Sequence, residues 1–428
     1  TLQALAFLAY EKEHGNKIPS LIVVPTSLVF NWVAEVEKFT PGLKTHVHHG
    51  MLRNRDAAFM KNGCDLIITT YGTLRNDIEI FEKEKFYYVV LDESQQIKNP
   101  LSKNAKSAFS LKSKYRLALS GTPIENNSLE LWSQFAFLNP GLLGNMDHFR
   151  ETFANSIDKN KDTNKMASLK NVIDPFMLRR KKESVAKDLP EKQVTVIYCD
   201  MEPDQRKIYD FWKNRFRDEI QDSIKEHGLF KSKMKILQGL MKLRQICNHP
   251  ALIDESYAGE SGKFSVLINQ IEETLSEGHK VLIFSSFVKM LTVFRKYFDE
   301  KGMRYSYLDG STTKRKEVVE EFQRDSKIQI FLISLKAGGL GLNLTAADYV
   351  FVVDPWWNPA AEMQAIDRTH RIGQTKNVFV YKTITKDSVE EKILELQESK
   401  MNLVKNVVVA NEGIFKKLTK ETIDRMFA

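Results

Sequence analysis

The chain is poor in cysteine. Cys64, Cys199 and Cys247 are the only three in 428 residues. They are odd in number and widely spaced, which argues against a disulfide framework and against a zinc ribbon, and points to a reducing compartment. No stretch approaches the ~20 apolar residues needed to cross a bilayer, so no membrane partner is expected. No signal peptide is visible, because Thr1-Leu2-Gln3-Ala4-Leu5 already has the character of a helix interior. Low-complexity tracts are absent. Metal-ligand clusters are scarce too. His46, His48 and His49 form the one tempting group, but no Asp, Glu or Cys stands at a helpful spacing, and an exposed strand end is the preferred reading. Charge of one sign is not abundant either. A net +8 permits a phosphate-rich partner without demanding one.

What is present is a repeated alternation. Short apolar, β-branched runs recur at Leu21–Val24, Leu66–Ile68, Tyr87–Leu91 and Arg116–Leu119, then at Val194–Tyr198, Val281–Phe284, Ile328–Ile333, Tyr349–Val353 and Val378–Tyr381. Each is followed by a polar turn and a helical pattern. Continuous apolar strands alternating with helices predict parallel strands buried on both faces. Two sets predict an α/β fold with two sheets, in line with the length. The expected domains are 1–186 with a helical insertion at about 126–178, 187–400 with a second insertion at about 203–250, and a helical brace over 401–428.

Four places carry chemistry. Val89-Val90-Leu91-Asp92-Glu93 is a strand ending in two carboxylates, which at the carboxyl end of a parallel strand face the ligand crevice. Asp92 is suited to hold Mg²⁺, and Glu93 to polarise an attacking water. Thr1 opens a helix as the last residue of a G-x-x-x-x-G-K-[ST] phosphate loop does. No Gly-Lys precedes it, so the expectation is a chain cut inside that loop, with ATPase activity impaired in this fragment alone. After Asn358-Pro359, a good helix start, Gln364, Asp367, Arg368 and Arg371 follow at i, i+3, i+4 and i+7. On this helix they form one polar face with two guanidinium groups, suited to a triphosphate. Finally, the glycines of Ser334–Gly341, with Lys336, Gly338 and Gly341, let backbone approach a phosphate closely. Ser120-Gly121-Thr122-Pro123 is a similar turn with two hydroxyls.

In this order the blocks resemble the SWI/SNF-type ATPases of helicase superfamily two, along essentially the whole chain. Val24-Pro25-Thr26-Ser27-Leu28 with Asn31-Trp32, then Thr69-Thr70-Tyr71, Asp92-Glu93-Ser94-Gln95 and Leu119–Asn126 are similar to the family's first-lobe motifs. Phe176–Arg180, Asp188–Lys192 and Leu243–Pro250 are similar to blocks peculiar to this family. Val281–Phe287, Leu308-Asp309-Gly310-Ser311, Ser334–Leu344 and Gln364–Gln374 match the second-lobe motifs. Ser94-Gln95 looks like the bacterial and archaeal branch, whose substrate is DNA rather than nucleosomes.

The resemblance implies two RecA-like lobes and an ATP-dependent translocase that tracks double-stranded DNA without separating its strands. Thr1, Asp92, Glu93, Gln364, Gly341, Arg368 and Arg371 are then the expected ATP and Mg²⁺ site, with Asp92 and Thr1 on the metal. Thr26, Ser27, Asn31, Thr70, Tyr71, Lys336, Gly338 and Trp357 are the expected DNA contacts, and Ser120, Thr122 and Asp309 the coupling residues. Contacts to the DNA backbone would be sequence-tolerant and salt-dependent. The expected location is cytoplasmic and nucleoid-associated in a bacterium or archaeon, nuclear in a eukaryote. No obligate oligomer is expected, and a protein partner or upstream domain would set the target. The alternatives are a strand-separating helicase and a DNA-binding module that does not hydrolyse ATP.

Overall fold

The computed structural model describes residues 1–50, 53, 56, 63–121, 128–160, 162–178, 180, 189–338, 342–356, 359–371, 373–395, 397 and 426–427. The chain divides into two compact units, a first lobe of Thr1–Leu178 and a second of Arg179–Leu403.

Among the described residues the first lobe holds a five-stranded sheet in the order β2-β3-β1-β4-β5, built from β1 (Ser20–Val24), β2 (Thr45–His48), β3 (Leu66–Thr70), β4 (Lys85–Leu91) and β5 (Lys112–Ala118). All its pairings are parallel, with Ile22 opposite both Ile68 and Val90. The central strands are buried along their whole length because helices cover both faces. Alternate side chains of β1 go to opposite faces. Ile22 and Val24 pack with α1 (Leu2–Glu13) and α2 (Val29–Phe39) through Leu5, Leu8, Val29, Trp32 and Val36. Leu21 and Val23 pack on the other face with Leu74 of α3 (Tyr71–Asn76), Ala105 of α4 (Lys103–Ser110) and Phe137 of α5 (Ser128–Leu138). Beyond α5, helical segments ending in α6 (Thr163–Ile173) keep a core of their own: Leu131, Phe135, Phe149, Leu169 and Ile173.

The second lobe has a six-stranded sheet, again among the described residues and again parallel throughout. Its order is β6-β11-β10-β7-β9-β8, with β6 (Lys192–Cys199), β7 (Val281–Ser285), β8 (Tyr305–Leu308), β9 (Ile330–Ser334), β10 (Tyr349–Val352) and β11 (Val378–Thr385). β8 is absent from the sequence expectation and β2 is anticipated only as a strand end at the histidines; both are edge strands. Their sequences, Thr-His-Val-His and Tyr-Ser-Tyr-Leu, bury only part of their residues and so lack the continuous apolar run that marks an inner strand.

The helical run α7 (Pro203–Asn248) is an antiparallel hairpin. It is broken at Gly228, whose φ of 77° and ψ of 164° only glycine adopts without strain. Its base is locked by fully buried Gln205, which donates to Ile246 O at 2.7 Å and accepts the Gly262 N–H at 3.1 Å. Helices α8 (Gly262–Ser276) and α9 (Val288–Glu300) cover the face of the sheet carrying Val281 and Ile283. The face carrying Leu282 and Phe284 is covered by α10 (Arg315–Arg324), α11 (Leu335–Gly338) and α12 (Pro359–Ile366), through Phe322, Leu335, Ala365 and Ile366. A buried ion pair fastens the α7 and α8 junction to this sheet: Lys263 Nζ lies 2.5 Å from Glu390 Oε2 and donates to Asn248 Oδ1 and Val353 O. Among the described residues no helix is long and apolar enough to cross a membrane.

Candidate functional site

In the first lobe, β4 ends at Leu91, so Asp92 and Glu93 emerge at the carboxyl edge of a parallel sheet. Both Asp92 carboxylate oxygens are oriented. Oδ1 accepts the Glu93 N–H at 2.9 Å, and Oδ2 accepts the indole N–H of Trp32 at 2.8 Å. The phenol of Tyr71 donates to Asp92 O at 2.8 Å. Burial, reinforced by the charges of Asp92 and Glu93, holds that phenol well above its ordinary pKa of 10.0, so it stays a donor.

Glu93 stands in the left-handed region, φ 49° and ψ 54°. For a residue with a Cβ this costs about 1–2 kcal/mol. The turn it makes sends the chain into Ser94–Ile97 and sets the carboxylate beside Gln95, whose Nε2 donates to Glu93 Oε2 at 2.8 Å. Gln95 Oε1 in turn accepts Ser120 Oγ at 3.3 Å. A second strut joins the same two loops, from Ser94 N to Leu119 O at 2.9 Å. Asp92, Glu93 and Ser120 are thus gathered into one network. Trp32 and Gln95, which the sequence pattern left without this role, complete it. Thr1 is the N-cap residue of α1, and its side chain makes no capping bond.

The expected DNA contacts of the first lobe divide in two. Thr26 and Asn31 are exposed at the start of α2, and Ser27 is half-buried. Thr70 and Tyr71 are buried. Thr70 Oγ1 caps α3 by accepting the Thr73 N–H, and Tyr71 serves Asp92. Their hydroxyls are engaged inside the lobe rather than presented to a ligand.

The histidine run also differs from a plain exposed strand end. His48 is fully buried at the end of β2, with Nε2 at 2.9 Å from Asp77 Oδ2, and Arg53 forks onto the same carboxylate. Arg53 foremost, then His48, draws the Asp77 carboxyl below its ordinary range, while burial lowers His48 below 6.5. No cluster able to hold a metal occurs among the described residues.

In the second lobe the arrangement near the arginines departs from the expected helical face. α12 stops at Ile366. Arg368 N bonds back only three residues, to Ala365 O, and Thr369 Oγ1 donates to Ile366 O at 2.6 Å. Gln374 draws Thr369 O and Ala347 O together. These bonds turn the chain, so Asp367, Arg368 and Arg371 lie past the helix and do not share a helical stripe with Gln364. Three bonds tie the turn to neighbouring segments. Asp367 pairs with Lys192 at 2.9 Å, His370 Nε2 donates to Pro190 O at 2.7 Å, and Arg368 O accepts Leu344 N at 3.0 Å. Arg368 is buried, while Gln364 and Arg371 are half-buried.

The approach to α12 is fixed by Asp354, which follows β10. Fully buried, it accepts from Ser285 Oγ, Ser286 N, Asn248 Nδ2 and Arg244 Nη2. Arg244 is buried and also donates to Pro355 O at 2.5 Å, which binds the α7 hairpin to the segment leading into the arginines. Asp309, after β8, orders its own loop by accepting from Ser311 N, Ser311 Oγ, Thr312 Oγ1 and Tyr307 Oη. The Ser311 hydroxyl, with its neighbours, keeps that carboxyl below the ordinary 3.8.

Lys336 is exposed on α11. Gly338, expected to let backbone approach a phosphate, is a glycine that packing also requires. A Cβ there would fall 2.6 Å from the ring of Phe284. Gly341, Trp357 and Thr122 lie outside the described residues.

The SNF2-related domain matches residues 1–252, and the Helicase conserved C-terminal domain matches residues 262–373. The chain is 38% identical, over 98% of its length, to an uncharacterized ATP-dependent helicase of Mycoplasma pneumoniae, and covers 40% of that protein. It is 35% identical, over 97% of its length, to an ATP-dependent DNA helicase of Arabidopsis thaliana, covering 58% of it. It thus spans only part of either relative. Among solved structures it is similar to the Sulfolobus solfataricus SWI2/SNF2 ATPase core in complex with dsDNA, at 37% identity, 99% coverage of this chain, 89% of that one and a TM-score of 0.48. With the first match covering 252 of 428 residues, the chain belongs to the SNF2-related helicase family.

Proposed function

We propose that this chain is the motor core of an ATP-dependent double-stranded DNA translocase of SWI/SNF type. The observation that carries the reading is the end of β4: a carboxylate held in orientation by two N–H donors, followed by a second carboxylate on a left-handed turn and tied through Gln95 to Ser120. Each Asp92 oxygen accepts one of these bonds and keeps a lone pair, and a hard carboxylate of this kind fits Mg²⁺ held partly through water. Asp92, with Thr1, would hold the ion, which when bound supplies charge neutralisation at the phosphates.

The chain's own residues do the rest. Glu93 accepts a proton from, and orients, the attacking water. The Gln95 amide sets the direction of that carboxylate, and Ser120 reports through Gln95 on its position. Arg368 and Arg371 neutralise charge that develops on the γ-phosphate, with Gln364 and Gly341 contributing to nucleotide binding. Thr26, Ser27, Asn31, Lys336 and Trp357, with the backbone of the turn at Thr70 and Tyr71, provide contacts to the DNA backbone. The family, and a relative named as a DNA helicase, support DNA as the track. Contacts of this kind carry no base code, so binding is sequence-tolerant and weakens steeply with salt.

The test is ATP hydrolysis with and without duplex DNA in the intact protein and its Glu93→Gln variant. The expected result is a loss of at least ~10²-fold with DNA binding retained. Equal rates would overturn the role of Glu93 and with it the reading. Displacing a third strand from a triplex while leaving a duplex unseparated is the expected translocation signature; strand separation would place the chain with unwinding helicases instead.

A further inference from the structure

Two buried side chains of the first lobe converge on Asp92, and each belongs to a segment proposed to face DNA. Trp32 sits on α2, next to exposed Asn31 and one to two turns beyond Thr26. It is 1% exposed, so it cannot reach a duplex itself, and its indole N–H goes to Asp92 Oδ2 at 2.8 Å. Tyr71 opens α3 directly after Thr70, is 5% exposed, and donates its hydroxyl to Asp92 O at 2.8 Å. An indole N–H can donate and has no alternative role as acceptor, so the Trp32 bond has one possible sense. Ile22, Leu28, Val29, Val36 and Val90 share its apolar cluster. Trp32 is thus held within the α2 core by packing and tied to Asp92 by its indole N–H.

We infer that Trp32 and Tyr71 are positioning residues that carry DNA occupancy of the α2 and α3 segments directly to the Asp92 carboxylate. This rests on the proposed function and adds the route by which a DNA-stimulated site senses its track. One strut acts on the side-chain oxygen, the other on the backbone carbonyl. Displacing α2 pulls Oδ2 and turns the carboxylate about its remaining bond to Glu93 N. Displacing the turn at Thr70 shifts the backbone from which the carboxylate hangs. Neither strut touches nucleotide or DNA, which separates them from catalytic and contact residues.

Trp32→Phe removes the donor and keeps an aromatic ring in the same cluster. In the intact protein it is expected to melt cooperatively and to bind duplex DNA within about twofold of wild type. A hydrogen bond to a charged group is worth roughly tenfold or more in an equilibrium. The magnesium concentration at half-maximal hydrolysis should therefore rise about tenfold, and stimulation by DNA should be lost. Tyr71→Phe should weaken stimulation without altering DNA affinity. A second readout needs neither nucleotide nor magnesium. The Trp32 indole N–H resonance, identified by its loss in Trp32→Phe, is expected to move in Asp92→Ala and to move in wild type when duplex DNA is added.

Wild-type stimulation in Trp32→Phe, or an indole resonance indifferent to DNA, overturns the inference. A general fall in melting temperature with stimulation intact also overturns it, since that would mark a purely structural tryptophan. If Glu93→Gln is inactive while Trp32→Phe keeps full stimulation, the proposed function stands and this inference alone fails. If Glu93→Gln hydrolyses ATP normally, both fail.

Discussion

Replacing Glu390 by glutamine tests how the second lobe keeps a full charge in its interior. Lys263 and Glu390 are both 0% exposed, and Nζ lies 2.5 Å from Oε2. The ammonium has two further acceptors, Asn248 Oδ1 and Val353 O, while the carboxylate also accepts from Thr385 N. Glutamine keeps the shape and can keep one hydrogen bond, but it removes the counter-charge. Breaking a buried pair from one side costs about 3–5 kcal/mol, because the surviving ion is left uncompensated. In a unit of this size each kcal/mol lowers Tm by about 2–4 °C, so the second-lobe transition should fall by about 6–20 °C. Lys263→Met combined with Glu390→Gln removes the stranded charge. Its cost should fall short of the sum of the single costs by about 0.5–3 kcal/mol, the range seen for directly interacting pairs. The assay is scanning calorimetry of the intact protein, with the transition assigned by hydrogen exchange of peptides from β10 and β11. Additivity within about 0.5 kcal/mol would refute the reasoning, because the two groups would then be behaving as independent sites.

Gly228→Ala should cost the α7 hairpin about 1–3 kcal/mol of backbone strain, since its φ of 77° suits glycine, although nothing lies within 4 Å of the added Cβ. An unchanged melting temperature would contradict this. Gly338→Ala should destabilise the second lobe by about 1–3 kcal/mol through overpacking against Phe284, readable in the same calorimetry. The first lobe should lose stability on acidification. Burial lowers His48 below 6.5, so the unfolded chain takes up that proton first; the contribution is whole above pH 6.5 and is lost as pH falls from there towards the folded value. His48→Leu should flatten this slope, and an equally steep slope in the variant would count against His48 as its source. Asp309 should titrate below 3.8 in a carboxyl NMR titration, since the hydroxyls of Ser311, Tyr307 and Thr312 favour its charged form. Its contribution to stability is present above that value and lost as pH falls through the lower folded one.

The inner strands were legible because burial on both faces leaves a sequence nothing but apolar residues to write, as in Leu21–Val24 and Val281–Phe284. Two edge strands were not, since Thr45–His48 and Tyr305–Leu308 mix polar with apolar residues, although the edge runs Arg116–Leu119 and Val194–Tyr198 were. Asp92 and Glu93 were legible as a pair at a strand end. Their network was not, because Trp32 lies 60 residues away in the chain and a tryptophan inside an apolar pattern reads as core. The helix carrying Gln364 was overextended past Ile366. Helical spacing runs on unbroken through Arg371, and it is ended by a local bond from Thr369 to Ile366 O and by Gln374, which reaches Ala347 O. The packing requirement at Gly338 was hidden for a similar reason: a glycine required for close packing and one required for a ligand look alike until Phe284 is in view.

The left-handed backbone at Glu93 sets fold and chemistry against each other at a single position. A glycine there would relax the turn, which a carboxylate-bearing residue holds only at a cost. Selection for heat resistance alone would accordingly favour losing this side chain, and thermostable variants recovered without an activity screen should be sequenced at this codon first.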